Sequence, residues 1–271
     1  MKVDNNNKQT ILQISSDQPK PVGQVVKEQI SEGLHQYNRK PGKVFISAIV
    51  AGLDLGFSLF LMGCLYTLFH GQVSDNSLHV MMACAYPIGF LFVVLGGSVL
   101  FTEHTTLAVL PVLDGKKTLL DLARLWLIIY FGNIIGGILI GGLMAWLGPA
   151  LGVVSKDAIS YMALHLTDLQ GYYLIGSGLL AGWLMGLLSW LVTSSQDTLS
   201  RIVIVVLITT VIGIGSLHHC IVGSIELFAG LLVSEEMTWQ KYLPTQLLST
   251  LGNIIGGAFF VSVLKFQMTK E

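Results

Sequence analysis

The chain is poor in charge. Of its 271 residues only 11% are Asp, Glu, Lys or Arg, while 52% are hydrophobic. A soluble domain carries about 25% charged residues, so an ordinary water-soluble fold is excluded. The net charge is −1, and nothing in it signals nucleic acid or an acidic partner. Cysteine is scarce as well. Cys64, Cys84 and Cys220 all lie in apolar stretches and read as small apolar fillers, which excludes a disulfide framework. No residue spacing calls for a cofactor. No cleavable signal peptide is expected, because the sequence opens with about 40 mostly polar residues.

What the chain does have is apolar length. A spanning helix needs about 20 apolar residues. Residues 44–69, 80–113, 122–147, 174–194, 202–233 and 244–264 supply six such segments, predicting an all-α polytopic membrane protein. Lysine and arginine set its orientation. Thirteen of the 15 basic residues fall on one side, and only Lys156 and Lys241 fall on the other. Both termini are therefore expected in the cytoplasm. The expected organisation is a cytoplasmic tail (1–42), a first three-helix repeat (43–148), an extracytoplasmic linker (149–173), a second repeat (174–265) and a short cytoplasmic tail (266–271). Within the first tail, PVGQVVKEQISEGLHQYNR can form an amphipathic helix on the membrane surface.

The two halves share motifs. GNIIGG occurs at 132–137 and again at 252–257, in the third segment of each half. AGLDLG (51–56) and AGWLMG (181–186) open the halves with the same AGxxxG spacing. Three segments per half is odd, so the halves run in opposite senses across the bilayer. Such inverted repeats bracket transport paths near the midplane. The glycines permit close helix packing. Asn133 and Asn253 need polar partners in lipid, either in an interhelical hydrogen bond or along a polar path.

The middle segment of each half is unusual. GGSVLFTEHTT (96–106) and GIGSLHHCIVGSIE (213–226) place glycines, histidines and carboxylates where a continuous helix would meet hydrocarbon. Broken second and fifth helices, interrupted at 96–106 and 213–220, account for this pattern. Ionisable residues at such depth are candidate functional groups. Glu103 and His104 then lie on the first break, with Glu103 suited to cap the half-helix after it.

These motifs resemble those of the formate/nitrite transporter family, from about residue 40 to the C-terminus. LFTEHTT is similar to the loop interrupting that family's second helix, LHHCIVG to the loop interrupting its fifth, and both GNIIGG segments to its third and sixth helices. The resemblance implies an aquaporin-like fold in an inner membrane, assembled as a homopentamer with one pore per protomer. It implies passage of small monovalent anions or their weak acids, with protons, past a central His219 helped by Thr102. Leu100, Phe101 and Phe90 would form the cytoplasmic constriction, and Tyr86 and Ile212 the outer one. His218, Glu226, Glu103, Asn133 and Asn253 complete the candidate path. A histidine near the midplane can supply charge or a proton at physiological pH.

The chain also departs from that pattern. Gly182 and Gly223 stand where many members have asparagine, and Leu166 stands near the position of an outer lysine. Asp54, Glu103 and Glu226 add carboxyl groups to an anion path. Two other readings therefore stay open. One is a channel for a small neutral or deprotonated solute, as in ammonium-type channels. The other is a metal carrier or intramembrane metalloenzyme using His104, His218, His219, Cys220 and Glu226.

Overall fold

A computed structural model describes residues 20–169 and 171–268. The expected tail at 1–19 and the final residues 269–271 lie outside the described residues. All regular structure among the described residues is helical.

The chain begins with α1 (Val22–Asn38) and continues with α2 (Pro41–Phe69), which starts on a proline at its first turn. Proline suits that position because the first N–H groups of a helix have no partner inside it. Next come α3 (Asp75–Ala85), α4 (Pro87–Gly96), α5 (Phe101–Leu107) and α6 (Leu110–Leu113). α7 (Leu119–Leu151) is opened by a capping box: the Thr118 hydroxyl accepts from the Asp121 N–H, and the Asp121 carboxylate accepts from the Thr118 N–H. It closes on Gly152 at φ 70°. α8 (Lys156–His165), α9 (Tyr172–Ser194), α10 (Thr198–Ile214), α11 (Cys220–Val233) and α12 (Trp239–Ile255) follow. A wider π-helical stretch, Gly256–Val263, joins α12 to α13 (Leu264–Gln267).

Five helical runs are long and apolar enough to cross a membrane: Pro41–Phe69, Asp75–Gly96, Leu119–Leu151, Tyr172–Ser194 and Trp239–Gln267. α10 and α11, with 17 and 14 residues, are individually shorter, at roughly 26 and 21 Å on a rise of 1.5 Å per residue. The outer surface carries large exposed apolar side chains such as Ile46, Phe131, Leu139 and Trp146, suited to lipid or to another protomer.

α2 packs along α7, and α9 packs along α12; the shared AGxxxG and GNIIGG motifs lie at these two crossings. A Cβ on Gly182 would sit 2.6 Å from the Asn253 Cα, and one on Gly52 would sit 2.8 Å from the Gly137 nitrogen. Any larger residue would force the helices apart.

α1 lies against the bundle, which covers its apolar face. Val25, Val26 and Ile30 cluster with Leu110, Trp190 and Phe266. The Gln29 amide donates to Ser189 Oγ and Thr193 Oγ1. At its start, Lys20 pairs with Glu28 at 2.6 Å and donates to the Thr193 carbonyl. The Lys20 ammonium and the Gln24 amide hold the Glu28 carboxyl below its usual range.

The polar stretches are mostly helical. Non-helical residues are confined to 97–100 and 215–219, so Glu103 and His104 lie in a helix, where the sequence suggested loop. The reason lies in carbonyls within reach of these side chains. Thr105 Oγ1 donates to the Thr102 carbonyl, Thr106 Oγ1 to the Gly257 carbonyl, and His104 Nδ1 to the Leu100 carbonyl. Polar side chains that find carbonyls this close need no loop.

Candidate functional site

The two non-helical turns are fastened by one device used twice. Asn133, from the first GNIIGG, accepts from the Phe101 N–H at 2.8 Å and donates to the Val99 and Ala48 carbonyls at 2.9 and 2.7 Å. Asn253, from the second, accepts from the Cys220 N–H at 2.9 Å and donates to the His218 and Gly178 carbonyls at 2.8 Å each. Each amide thus serves the first N–H of a helix, α5 or α11, and the carbonyl two residues before it, while a third bond reaches the neighbouring long helix. Both asparagines are fully buried, and neither lines the cavity described below. The repeated cassette is a loop clamp, and its glycines let the clamped helices approach.

Between the clamped groups stand the residues that begin the half-helices. Leu100 precedes α5, and His219 precedes α11. His219 caps α11 with its ring: Nδ1 accepts from the Val222 N–H at 3.3 Å. Its other nitrogen, Nε2, lies 2.8 Å from Thr102 Oγ1. With Nδ1 facing an N–H, this geometry fits the neutral ring carrying its hydrogen on Nε2. His219 then donates to Thr102, and the Thr102 hydroxyl hydrogen is left to be offered elsewhere. Phe90 meets the imidazole edge-on at 5.1 Å and in turn contacts Tyr86 at 5.2 Å. The Ser58 hydroxyl steadies this aromatic run by donating to the Tyr86 carbonyl at 2.6 Å and accepting from the Gly89 N–H, around the helix interruption at Pro87.

A cavity of about 90 Å³ leads to His219 from the side of the short α8 helix. Tyr86, Ile212, His219 and Glu226 line its depth, and Tyr161 and His165 line its mouth. His219 and Ile212 are 2% and 1% exposed, whereas Tyr161 is 42% exposed, so the cavity runs from surface to core. Phe90 and Thr102, which contact His219, and Leu100 do not line this cavity and are fully buried. Phe101, also buried, turns against Tyr130 and Trp126.

The other candidates lie apart from the cavity. His218 turns the opposite way, with Nδ1 at 2.9 Å from Ser177 Oγ and Nε2 donating to the Leu166 carbonyl at 3.0 Å. Glu103 stands half-buried in the first turn of α5. Asp54 accepts from the Ser98 hydroxyl and so holds the first turn from α2. Among the described residues no three His, Cys, Asp or Glu side chains converge as a metal cluster would require.

Sequence reasoning missed the ties at the cavity mouth. His79 Nε2 donates to the Ile214 carbonyl at 2.9 Å, and His165 Nε2 lies 3.3 Å from Ser216 Oγ. Together they hold the second turn where Ser216 adopts φ 47°, the left-handed region that few non-glycine residues enter. Two histidines flanking the outer ends of neighbouring segments were the available signal, but their meeting on one turn is a tertiary fact.

Known proteins share both sequence and architecture with the chain. A family model described as formate/nitrite transporter matches residues 23–267. The inner membrane protein YfdC of Escherichia coli (strain K12) is 29% identical over 96% of this chain and 83% of its own length. The nitrite transporter NirC of the same organism is 27% identical, covering 81% of each chain. The formate channel FocA of Haemophilus influenzae is 23% identical over 87% of this chain and 90% of that one. Among solved structures, an FNT family ion channel superposes with a TM-score of 0.83 at 19% identity, over 92% of this chain and all of that one. A pentameric formate channel with formate bound gives 0.71 at 20% identity, over 84% and 97%. The chain is a multi-pass membrane transport protein and belongs to the formate/nitrite transporter family.

Proposed function

We propose that the chain forms a channel for small monovalent anions and their conjugate weak acids, of the size of formate or nitrite. The observation that carries the reading is the Thr102–His219 contact of 2.8 Å at the inner end of the cavity, where the first turn of α5 meets the turn before α11. A solute reaching this point finds a Thr102 hydroxyl able to donate, apolar walls from Phe90 and Ile212, and little room. An unpaired ion crosses such a wall at high cost, so passage favours a solute whose charge is hydrogen-bonded or neutralised on the way. Two relatives whose names refer to formate and nitrite support this solute class.

The path in this reading runs through six crossings arranged as two inverted repeats, α10 and α11 together making the fifth. Residues 43–148 and 174–265 are the repeats and 149–173 the linker outside. The excess of basic residues on one side supports an inner-membrane protein with both termini in the cytoplasm. The pentameric state of the formate channel sharing this fold, with the exposed apolar surface of α2 and α7, supports a pentamer with one path per protomer. His219 acts as a hydrogen-bonding gatekeeper, since in this geometry both of its ring nitrogens are engaged.

Flux of formate, nitrite, lactate and ammonium into proteoliposomes at two pH values tests the reading. Formate or nitrite flux above protein-free vesicles is expected. A second reading, a path for small neutral solutes, is favoured by a cavity lined by Glu226 and by neither lysine nor arginine among the described residues. Ammonium flux without formate or nitrite flux would decide for it.

A further inference from the structure

We propose that Glu226 is the proton donor of the outer half of the path, delivering its proton to an entering monovalent oxyanion that then passes His219 as the neutral acid. The inference rests on the weak-acid reading above and adds the group that neutralises the solute.

The placement is the first argument. His219, Val222, Gly223 and Glu226 line the cavity together, as residues three, four and seven apart do on one helix face. Gly223 has no side chain, so the Glu226 carboxyl and the His219 ring look into the same space. The second argument is the state of that carboxyl. Glu226 is 7% exposed, and among the described residues it has neither a hydrogen-bond partner nor an ion pair. A buried carboxylate in that position would be an uncompensated charge, which proteins avoid.

The third argument is elimination. The titratable groups facing Glu226 across the cavity are His79 and Tyr86, Tyr161 and His165 from α8, and His219 from its own helix. α2, α10 and the turn after it contribute apolar and hydroxyl groups such as Met62, Ile212 and Ser216. His219 gives its Nε2 hydrogen to Thr102 and uses Nδ1 as the helix cap. A proton on Nδ1 would break the cap and put a cation at a helix N-terminus, where it is disfavoured. His79 is tied to the Ile214 carbonyl, and His165 is shared between Ser216 and Asp168. Glu226 alone among the acids and histidines stands deep in the cavity without a partner. The cavity also offers an anion no cation, because no lysine or arginine lines it.

The step balances. The O–H bond of the Glu226 carboxyl breaks as an O–H bond forms on the oxyanion. The neutral acid moves on past Thr102, and Glu226, left as carboxylate, regains a proton from water at the cavity mouth between Tyr161 and His165. Each passage carries an anion and a proton together with no net charge.

The test uses the full chain in proteoliposomes, with formate as the probe and a pH dye inside the vesicles. Wild-type protein is expected to bring in a proton with each formate, at a rate indifferent to membrane potential. Glu226→Gln is expected to cut formate flux at neutral pH by about a hundredfold, the lower end of what a positioned proton donor contributes. Its flux should recover toward acid pH, where formic acid arrives already protonated. Unchanged flux and pH profile in an assembled Glu226→Gln protein would overturn the proposal while leaving the weak-acid reading intact. Should that variant fail to assemble, the wild-type protein still decides, since potential-driven formate uptake without protons overturns it. Absence of any formate or nitrite flux in the wild type would remove the weak-acid reading itself, and this inference with it.

Discussion

Asn253→Ala is the most direct probe of how the second turn is held. The change removes three hydrogen bonds, to the Cys220 N–H and to the His218 and Gly178 carbonyls. Gly178 lies within α9, where the helix ladder already serves its carbonyl, so the loss falls mainly on the two loop groups. A buried backbone group left unpaired costs about 1–3 kcal/mol, giving about 2–6 for the pair. Interhelical hydrogen bonds within membranes average nearer 0.6 kcal/mol, so three of them give about 2 kcal/mol. The estimates overlap at about 2 kcal/mol, which corresponds to a fall of about 4–8 °C in melting temperature for a chain of this size. Thermal melting of the purified protein in detergent reads the stability, and formate flux at matched protein levels reads the site. Flux should fall as well, because His219 sits between the two released groups and its 2.8 Å contact with Thr102 depends on them. Asn133→Ala is the control: it should lower stability similarly but loosen the turn at Leu100, leaving His219 capped. Melting within about 1 °C of wild type, with normal flux, would refute the clamp.

His219→Phe should stop solute flux without preventing assembly, because it removes the polar contact with Thr102 at the inner end of the cavity; near-normal flux at equal protein levels would transfer that role elsewhere. Thr102→Val keeps the shape but removes the hydroxyl, so flux should drop while melting changes little, and equal losses of both would mark Thr102 as structural. Gly182→Leu should prevent stable assembly, since even a Cβ there lies 2.6 Å from the Asn253 backbone; size-exclusion chromatography of the variant is the check. A cysteine at Ser74 and one at Thr118 should be labelled from opposite sides of the membrane, and labelling from the same side would defeat the six-crossing arrangement.

Much of the scaffold was legible because it is written twice. An identical hexapeptide in the third segment of each half marks two equivalent positions, and an asparagine in an apolar helix must bond to something. The partners were not legible. Nothing local to Asn133 or Asn253 indicates that the amide reaches backbone 32 or 33 residues away in place of a solute. Helix limits were blurred for a related reason: Thr105, Thr106 and His104 look like loop by polarity, yet each bonds to a carbonyl within reach and stays helical. The pairing of Thr102 with His219 joins residues 117 apart. Only the family resemblance, and no spacing, brought them together before the fold was known.

The two halves are alike in their clamps and unlike in what the clamps present, and the path follows from that difference. Aligning the clamped amides of Phe101 and Cys220 makes Leu100 the counterpart of His219 and Thr102 the counterpart of Ile221. A polar residue in one half thus faces an apolar one in the other, so the single hydrogen bond at the centre is assembled from one contribution per half. The same alignment makes His104 the counterpart of Gly223 and Leu107 the counterpart of Glu226. On the side of α5, the His104 ring is buried and Leu107 is 4% exposed, with its carbonyl pressed against Gly33 of α1. On the side of α11, Gly223 carries no side chain, and it and Glu226 both border the cavity, with Leu166 3.5 Å from where a Gly223 Cβ would stand. A symmetric scaffold with side chains of equal bulk would be sealed or open at both ends alike. Here the substitution of glycine for histidine at one pair of equivalent positions goes with a cavity on the α8 side and close packing beyond Phe90 and Leu100. In the proposed reading, a solute entering from the open side therefore meets a carboxyl before the histidine, whereas the other side presents the buried side chains of Leu100 and Phe90.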